Sequence, residues 1–263
     1  MHPAMAADIP SSGPAANETN SAPARAGASS GANDTKLPPS AESGLPLRPG
    51  EQLQYTANVA KLNNVANLLL KVAERRNFLG KSAWHLQAFA HTENPLRMVF
   101  VLDDQFDSYS DANTLASFQY EMHLDERGQK VESIQRMVAS SKEPAPSDAV
   151  AARVLPGTRD PLGLMQYLRT TDWTKTAEVR SPVYDGHKLY DVHARRVSAS
   201  EAVTVPAGKF AASKIEIRVY EGGIETKDTN FSLYLANNAA STPVLLEAVM
   251  PWATARVELK SSQ

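Results

Sequence analysis

From Leu53 onward the chain alternates apolar and polar residues with a period of two. Leu53, Tyr55, Ala57 and Val59 mark the first run, Trp84, Leu86, Ala88 and Ala90 a second, and Ile215, Ile217 and Val219 a later one. A period of two puts successive side chains on opposite faces of an extended chain, the mark of half-buried β-strands. Strands are expected over 66–77, 81–91, 97–103, 117–125, 129–139, 177–183, 187–198, 200–205, 209–221, 228–236, 243–249 and 252–260. The breaks between them are short and polar, as in Glu126-Arg127-Gly128, Asp185-Gly186 and Glu221-Gly222-Gly223. Short breaks favour antiparallel hairpins over parallel crossovers. Val65, Leu69, Val72 and Ala73 would also suit a helix. The turn signal Asn77-Phe78-Leu79-Gly80 into an alternating partner decides for a strand.

One segment breaks the pattern. Asp160 suits an N-cap, Pro161 the first helical position, and Leu162, Met165 and Leu168 form an apolar stripe, which predicts a helix over 161–170. Arg169 falls in its last turn and is expected to pair with a carboxylate or the last helix carbonyls. The polar stretch from Ser140 to Gly157, with Pro144, Pro146 and Pro156, reads as a surface excursion. About a dozen strands rarely stay in one flat sheet, because twist makes them curl or split. The expected fold is mostly β: a strongly curved antiparallel sheet, a half-barrel or roll, with one short helix against its concavity. A two-sheet sandwich is the alternative. In the segment Val203–Ile217, Phe210 has the opposite parity to Ile215 and Ile217, so either it belongs to the turn or a bulge near Ala211–Ser213 shifts the register.

Residues 1–46 differ from the rest. They are Ala, Ser, Pro, Gly, Asn and Thr with few large apolar side chains, and read as a disordered tail or linker ahead of a single β-rich domain over 47–263. Ala4-Met5-Ala6 has the small-x-small form found left of a signal-peptidase cut. Net charge is −2, and no Lys/Arg run exceeds two residues, so no basic field attracts nucleic acid. The sequence holds no cysteine, which removes disulfides and thiol chemistry. No apolar run reaches the roughly 18 residues a transmembrane helix needs.

The chemistry-bearing residues form no motif. His85 and His91 share strand parity, as do His187 and His193, but six residues of strand span roughly 20 Å, too far to chelate one ion. Asp103 to Asp111 is acid-rich without the spacing or glycine of a calcium loop. Nucleophile elbows and phosphate loops are missing. No catalytic residue, cofactor or metal is assigned. The aromatic residues offer more. Trp84, Tyr167, Tyr184 and Tyr234 are the candidates to line a concave apolar pocket or stack on sugar rings.

Several local patterns coincide in order. Leu47-Arg48-Pro49-Gly50-Glu51 precedes Leu53 and Tyr55; Asp160-Pro161-Leu162 precedes Tyr167-Leu168-Arg169; Tyr184-Asp185-Gly186 precedes a strand; Val203-Thr204-Val205-Pro206-Ala207-Gly208-Lys209-Phe210 opens a hairpin; Pro243-Val244 precedes the last strands. Together, over about residues 47–261, they resemble an exported bacterial β-rich family catalogued as domain of unknown function 3108. Tyr234 stands where that family commonly has Trp, and Pro251-Trp252-Ala253 where it commonly has Gly. The resemblance implies export, a periplasmic or secreted address in the bacterial envelope, and an antiparallel β fold. It carries no active site. The function expected is non-enzymatic binding of a lipid or glycan ligand in the sheet concavity. A polysaccharide-acting enzyme with paired carboxylates and a structural or assembly partner are the alternatives.

Overall fold

The computed structural model describes residues 45–263 except 95, 99–100, 127, 140–145 and 228–229; the tail expectation therefore lies outside the described residues up to position 44. Fourteen strands form: β1 (Gln52–Val59), β2 (Leu62–Phe78), β3 (Lys81–Thr92), β4 (Asp103–Asp111), β5 (Ser117–Glu126), β6 (Gln129–Val138), β7 (Val150–Arg153), β8 (Glu178–Tyr184), β9 (Leu189–Val205), β10 (Gly208–Glu221), β11 (Ile224–Glu225), β12 (Asn230–Ala236), β13 (Pro243–Val249) and β14 (Thr254–Ser262). The helix α1 is Pro161–Thr170. No described helix is long and apolar enough to cross a membrane.

Among the described residues all strands belong to one sheet, in the order β7-β6-β5-β4-β3-β2-β1-β14-β13-β12-β10-β9-β8, with β11 appended to β10. Two up-and-down meanders are joined where the first and last strands pair. Every pairing is antiparallel except β6 with β7. A single continuous sheet replaces the sandwich alternative. It rolls up without closing into a barrel. Arg159, just before α1, makes a bridge with Val183 of β8, and the Gln135 side chain of β6 donates to the Gly186 carbonyl after β8 at 2.6 Å. Strands from opposite ends of the sheet order are thus brought together.

Bulges help this curvature. Register shifts interrupt β2 between Val72 and Glu74, β4 beside Ser110, and β10 between Ala212 and Ile215. The last is the bulge the parity of Phe210 called for. Beyond it, Val203, Val205 and Ala212 leave the main row and pack with Leu53, Tyr55, Leu245 and Leu259.

The helix sits inside the roll between two apolar clusters. Leu164, Met165 and Leu168 meet Val183, Val192, Ile217 and Leu233, while Leu162 meets Val72, Trp84, Leu86 and Leu115. Tyr167 touches both clusters. The apolar surface of α1 is therefore wider than the single stripe expected. Gly163 lets the helix backbone approach β4 and β5: a Cβ there would lie 3.0 Å from the Ser110 hydroxyl and from the Leu115 carbonyl oxygen.

Both helix ends are fixed by buried charge. At the N-terminus the Asp160 carboxylate accepts from the Gly163 N–H at 2.8 Å and from the Ser108 and Ser117 hydroxyls at 2.5 and 2.7 Å. Burial raises its pKa above the ordinary carboxylate value despite these donors. At the other end the Arg169 guanidinium, fully buried, makes a two-pronged pair with Glu51 at 2.6 and 2.7 Å. It also donates to the Ala240 carbonyl at 2.7 Å. Arg169 does pair with a carboxylate, and it reaches past the helix's own carbonyls to do so.

Three segments differ from expectation. The acid-rich stretch is strand β4, whereas 97–103, read as a strand, holds a short 3-10 turn at Leu96–Met98. The strands read over 187–198 and 200–205 are one long strand, β9, which starts at Leu189. The polar excursion contributes β7. β4 lacks an apolar alternation because its inward positions 108 and 110 are serines that serve Asp160 and Gly163 instead of an apolar core.

Replacing Arg169 by Ala strands the largely buried carboxylate of Glu51, 12% exposed, and should cost about 3–5 kcal/mol in urea unfolding; a loss below about 1 kcal/mol would show that the pair does not anchor the helix. Asp160→Ala should cost about 1–3 kcal/mol, from the lost cap and the unpartnered serines. A buried acid with a raised pKa favours the folded state most below its unfolded value. Its contribution falls as pH rises from about 3.9 to the raised folded value and is level beyond. Asp160→Asn should remove that decline from the stability–pH curve, and an unchanged curve would refute the assignment.

Candidate functional site

The cavity beside α1 is built by strand parity. Cross-strand partners share a face, and Val183 opposite Tyr190, Val192 opposite Val219, Ile217 opposite Phe231 and Leu233 opposite Leu246 form such rows across β8, β9, β10, β12 and β13. These rows face Pro161, Leu164, Met165 and Leu168 of the helix. Between them lies a cavity of about 370 Å³, within the range of small-ligand pockets, about 300–1,000 Å³. Val183, Val192 and Leu168 are buried, while Leu164, Val219, Phe231 and Leu246 are only partly so. Helix and sheet stand apart here instead of interdigitating.

Polar groups touch this cavity in one place, the turn from β8 to β9. Asp185 is the only ionisable acid among the lining residues, and Tyr190 the only hydroxyl. The Asp185 carboxylate accepts from the N–H groups of His187 and Lys188, both at 2.8 Å. Burial first, then the charges of Asp185 and Glu221, raise the Tyr190 pKa, so its hydroxyl keeps its proton at neutral pH. Lys188 pairs with Glu221 at 2.7 Å nearby; both are exposed, and such a pair adds little stability. Gly186 closes the turn at φ +101°, where a Cβ would collide with the Met122 side chain at 2.5 Å.

None of the four aromatic residues expected to line a pocket lines this one; Trp84 and Tyr167 meet in the cluster on the far side of α1, and Tyr184 and Tyr234 lie apart from them. Trp84 is buried on the far side of α1, and its ring N–H donates to the Ala112 carbonyl at 3.2 Å. Tyr167 lies on the helix under the Arg159 guanidinium, 3.6 Å from the ring centre. Arg159 in turn donates to Ser181 and to the Thr114 carbonyl. Tyr184 adjoins the polar turn and donates to the Gly186 carbonyl at 3.1 Å. Tyr234 has the opposite parity to Leu233 and Leu235, and hydrogen-bonds Glu247 at 3.0 Å. The residues that do line the cavity are mostly aliphatic. Their signal in the sequence was the shared parity of Ile217 and Val219, which reads equally as core.

Catalysis by paired carboxylates needs two acids flanking the substrate; this cavity is lined by one. Its walls are apolar, with an acceptor and a hydroxyl at one side.

Among solved structures the chain is similar to a β-barrel-like protein of a domain of unknown function, DUF1849, from Brucella abortus. The TM-score is 0.50 at 10% identity, over 82% of this chain and 98% of that one. At that identity the likeness concerns the fold alone. A protein described as a lipoprotein from Parabacteroides distasonis has a TM-score of 0.40 at 12% identity, over 84% of this chain and 98% of that one. A protein described as exported, with a YmcC-like fold, from Bacteroides fragilis has 0.32 at 10%, over 83% and 98%. No curated protein matches the chain. The family described as a protein of unknown function, DUF3108, matches residues 54–260, from β1 into β14, and the chain belongs to that family.

Proposed function

We propose that this protein is a non-catalytic binding module of the bacterial envelope, holding the acyl chain of a lipid in the cavity between α1 and strands β8–β13. The observation that carries the reading is the lining: apolar residues from six elements, with Asp185 and Tyr190 alone offering side-chain N or O atoms. Burying methylene groups there is worth about 0.8 kcal/mol each. Ten of them contribute about 8 kcal/mol before the costs of ordering the ligand. A glycan would leave its hydroxyls facing hydrocarbon, which favours the lipid over the sugar. The polar turn suits the hydrated end of an amphiphile.

The envelope address is supported by the family resemblance and by Ala4-Met5-Ala6. Osmotic-shock fractionation of the native host should recover the chain outside the cytosol, and recovery in the cytosol would overturn that part.

Leu164→Trp and Val219→Trp each fill the cavity from a half-buried position. Each should weaken binding of a fluorescent fatty acid at least tenfold in a titration, while shifting the thermal midpoint by only a few degrees. Wild-type affinity in both folded variants would refute the site. Saturable binding of a soluble oligosaccharide with no fatty-acid binding would reverse the ligand class.

A further inference from the structure

A second cluster lies on the other face of the sheet. Ser108 and Ser110 reach inward to the helix cap, so Gln105, Asp107 and Tyr109, of the opposite parity, point outward. In the β4–β5 register Asp107 stands opposite Glu121, and Gln105 opposite His123. Like charges directly opposite each other destabilise a sheet. Asp107 is also withdrawn from water, only 4% exposed although it faces outward, while Glu121 is partly buried. Such a pair calls for a cation between its members.

The atoms that converge are chemically specific. His123 Nε2 lies 3.6 Å from Glu121 Oε2 and 3.9 Å from Asp107 Oδ2, and one ligand atom from each of the three residues fits within 4.8 Å of the others. Zinc holds such donors at about 2.0–2.2 Å, which sets tetrahedral donors about 3.3 Å apart. Contraction by about 0.3–1.5 Å through side-chain rotation would complete three ligands of a site.

The remaining atoms are already engaged. His123 Nδ1 meets the Glu132 carboxylate, the carboxylate–histidine arrangement that orients metal-binding imidazoles. Gln119 donates to Glu121 Oε1 at 2.5 Å. The His85 ring and Gln87 hold Asp107 Oδ1 at 2.6 and 2.8 Å. Gln105 donates to Asp107 Oδ2 at 2.6 Å, leaving that oxygen a second lone pair.

We propose that Asp107, Glu121 and His123 form a binding site for a transition-metal dication of the zinc class on the outer face of β4 and β5. One imidazole with two carboxylates suits zinc and its first-row neighbours better than magnesium or calcium, which take oxygen donors alone. The site is separate from the apolar cavity and does not depend on the lipid reading.

Calorimetric titration of the chelator-treated full chain with zinc chloride at pH 7.5 tests it. One ion per chain and a raised thermal midpoint are expected, unaffected by excess magnesium. His123→Ala should lower zinc affinity at least tenfold, and Glu132→Gln, which only positions His123, by about tenfold. His193→Ala, a histidine outside the cluster, should leave it unchanged. Glu121→Gln separates ligation from folding. It removes one of two opposed carboxylates, so the metal-free midpoint should hold or rise while the zinc-induced rise is lost. No saturable zinc binding, or wild-type affinity in His123→Ala and Glu121→Gln, would overturn the proposal and leave His123 as a hydrogen-bonding partner of the acids around it.

Discussion

A guanidinium with no access to water, Arg169, is tied through both its forks to Glu51 at the entrance of the first strand. Charge at such depth is tolerated only when its donors are met, and here Ala240 supplies a further acceptor. The pair joins α1 to the start of β1, and the Ala240 contact adds the β12–β13 connection. Asp160 does the same at the opposite end of the helix, drawing in β4 through Ser108 and β5 through Ser117. With both ends pinned, the helix cannot slide along the roll, and the space left beside it is set by those two anchors. The cavity is thus a consequence of helix placement more than of any residue that lines it.

The curvature has a comparable origin. An open sheet of this size must curl, and bulges localise where it does so. In β10 the break between Ala212 and Ile215 sends the outer half of the β9–β10 hairpin onto Leu53, Tyr55 and Leu259, and the inner half toward the cavity. One hairpin therefore serves two cores. That explains why β9 and β10 are among the longest strands, and why Phe210 and Ile215 disagree in parity.

Much of the architecture was legible along the chain because it rests on local chemistry. Asp160-Pro161 starts a helix wherever it is placed, and the alternation around Trp84 or Ile217 gives extended chain with one inward face. The strand β4 was not legible. Its inward serines answer to a carboxylate 52 residues away, and nothing near them in sequence indicates that partner. The site was illegible for a related reason. Parity shows which side chains point into a roll, but α1 divides the inside into a filled half around Trp84 and a looser half around Phe231. An aliphatic residue reads the same in either half, whereas aromatic residues draw attention wherever they fall.

The amino-acid sequence by itself determined most of the strands, the single capped helix, the roll and the family, since these follow from period, turn chemistry and the order of short motifs. Only the tertiary structure decided where the helix rests, which face of the sheet stays open beside it, and that Asp107, Glu121 and His123 meet. Each of those depends on distances between residues on different strands, and a linear pattern carries parity but no distance across a fold.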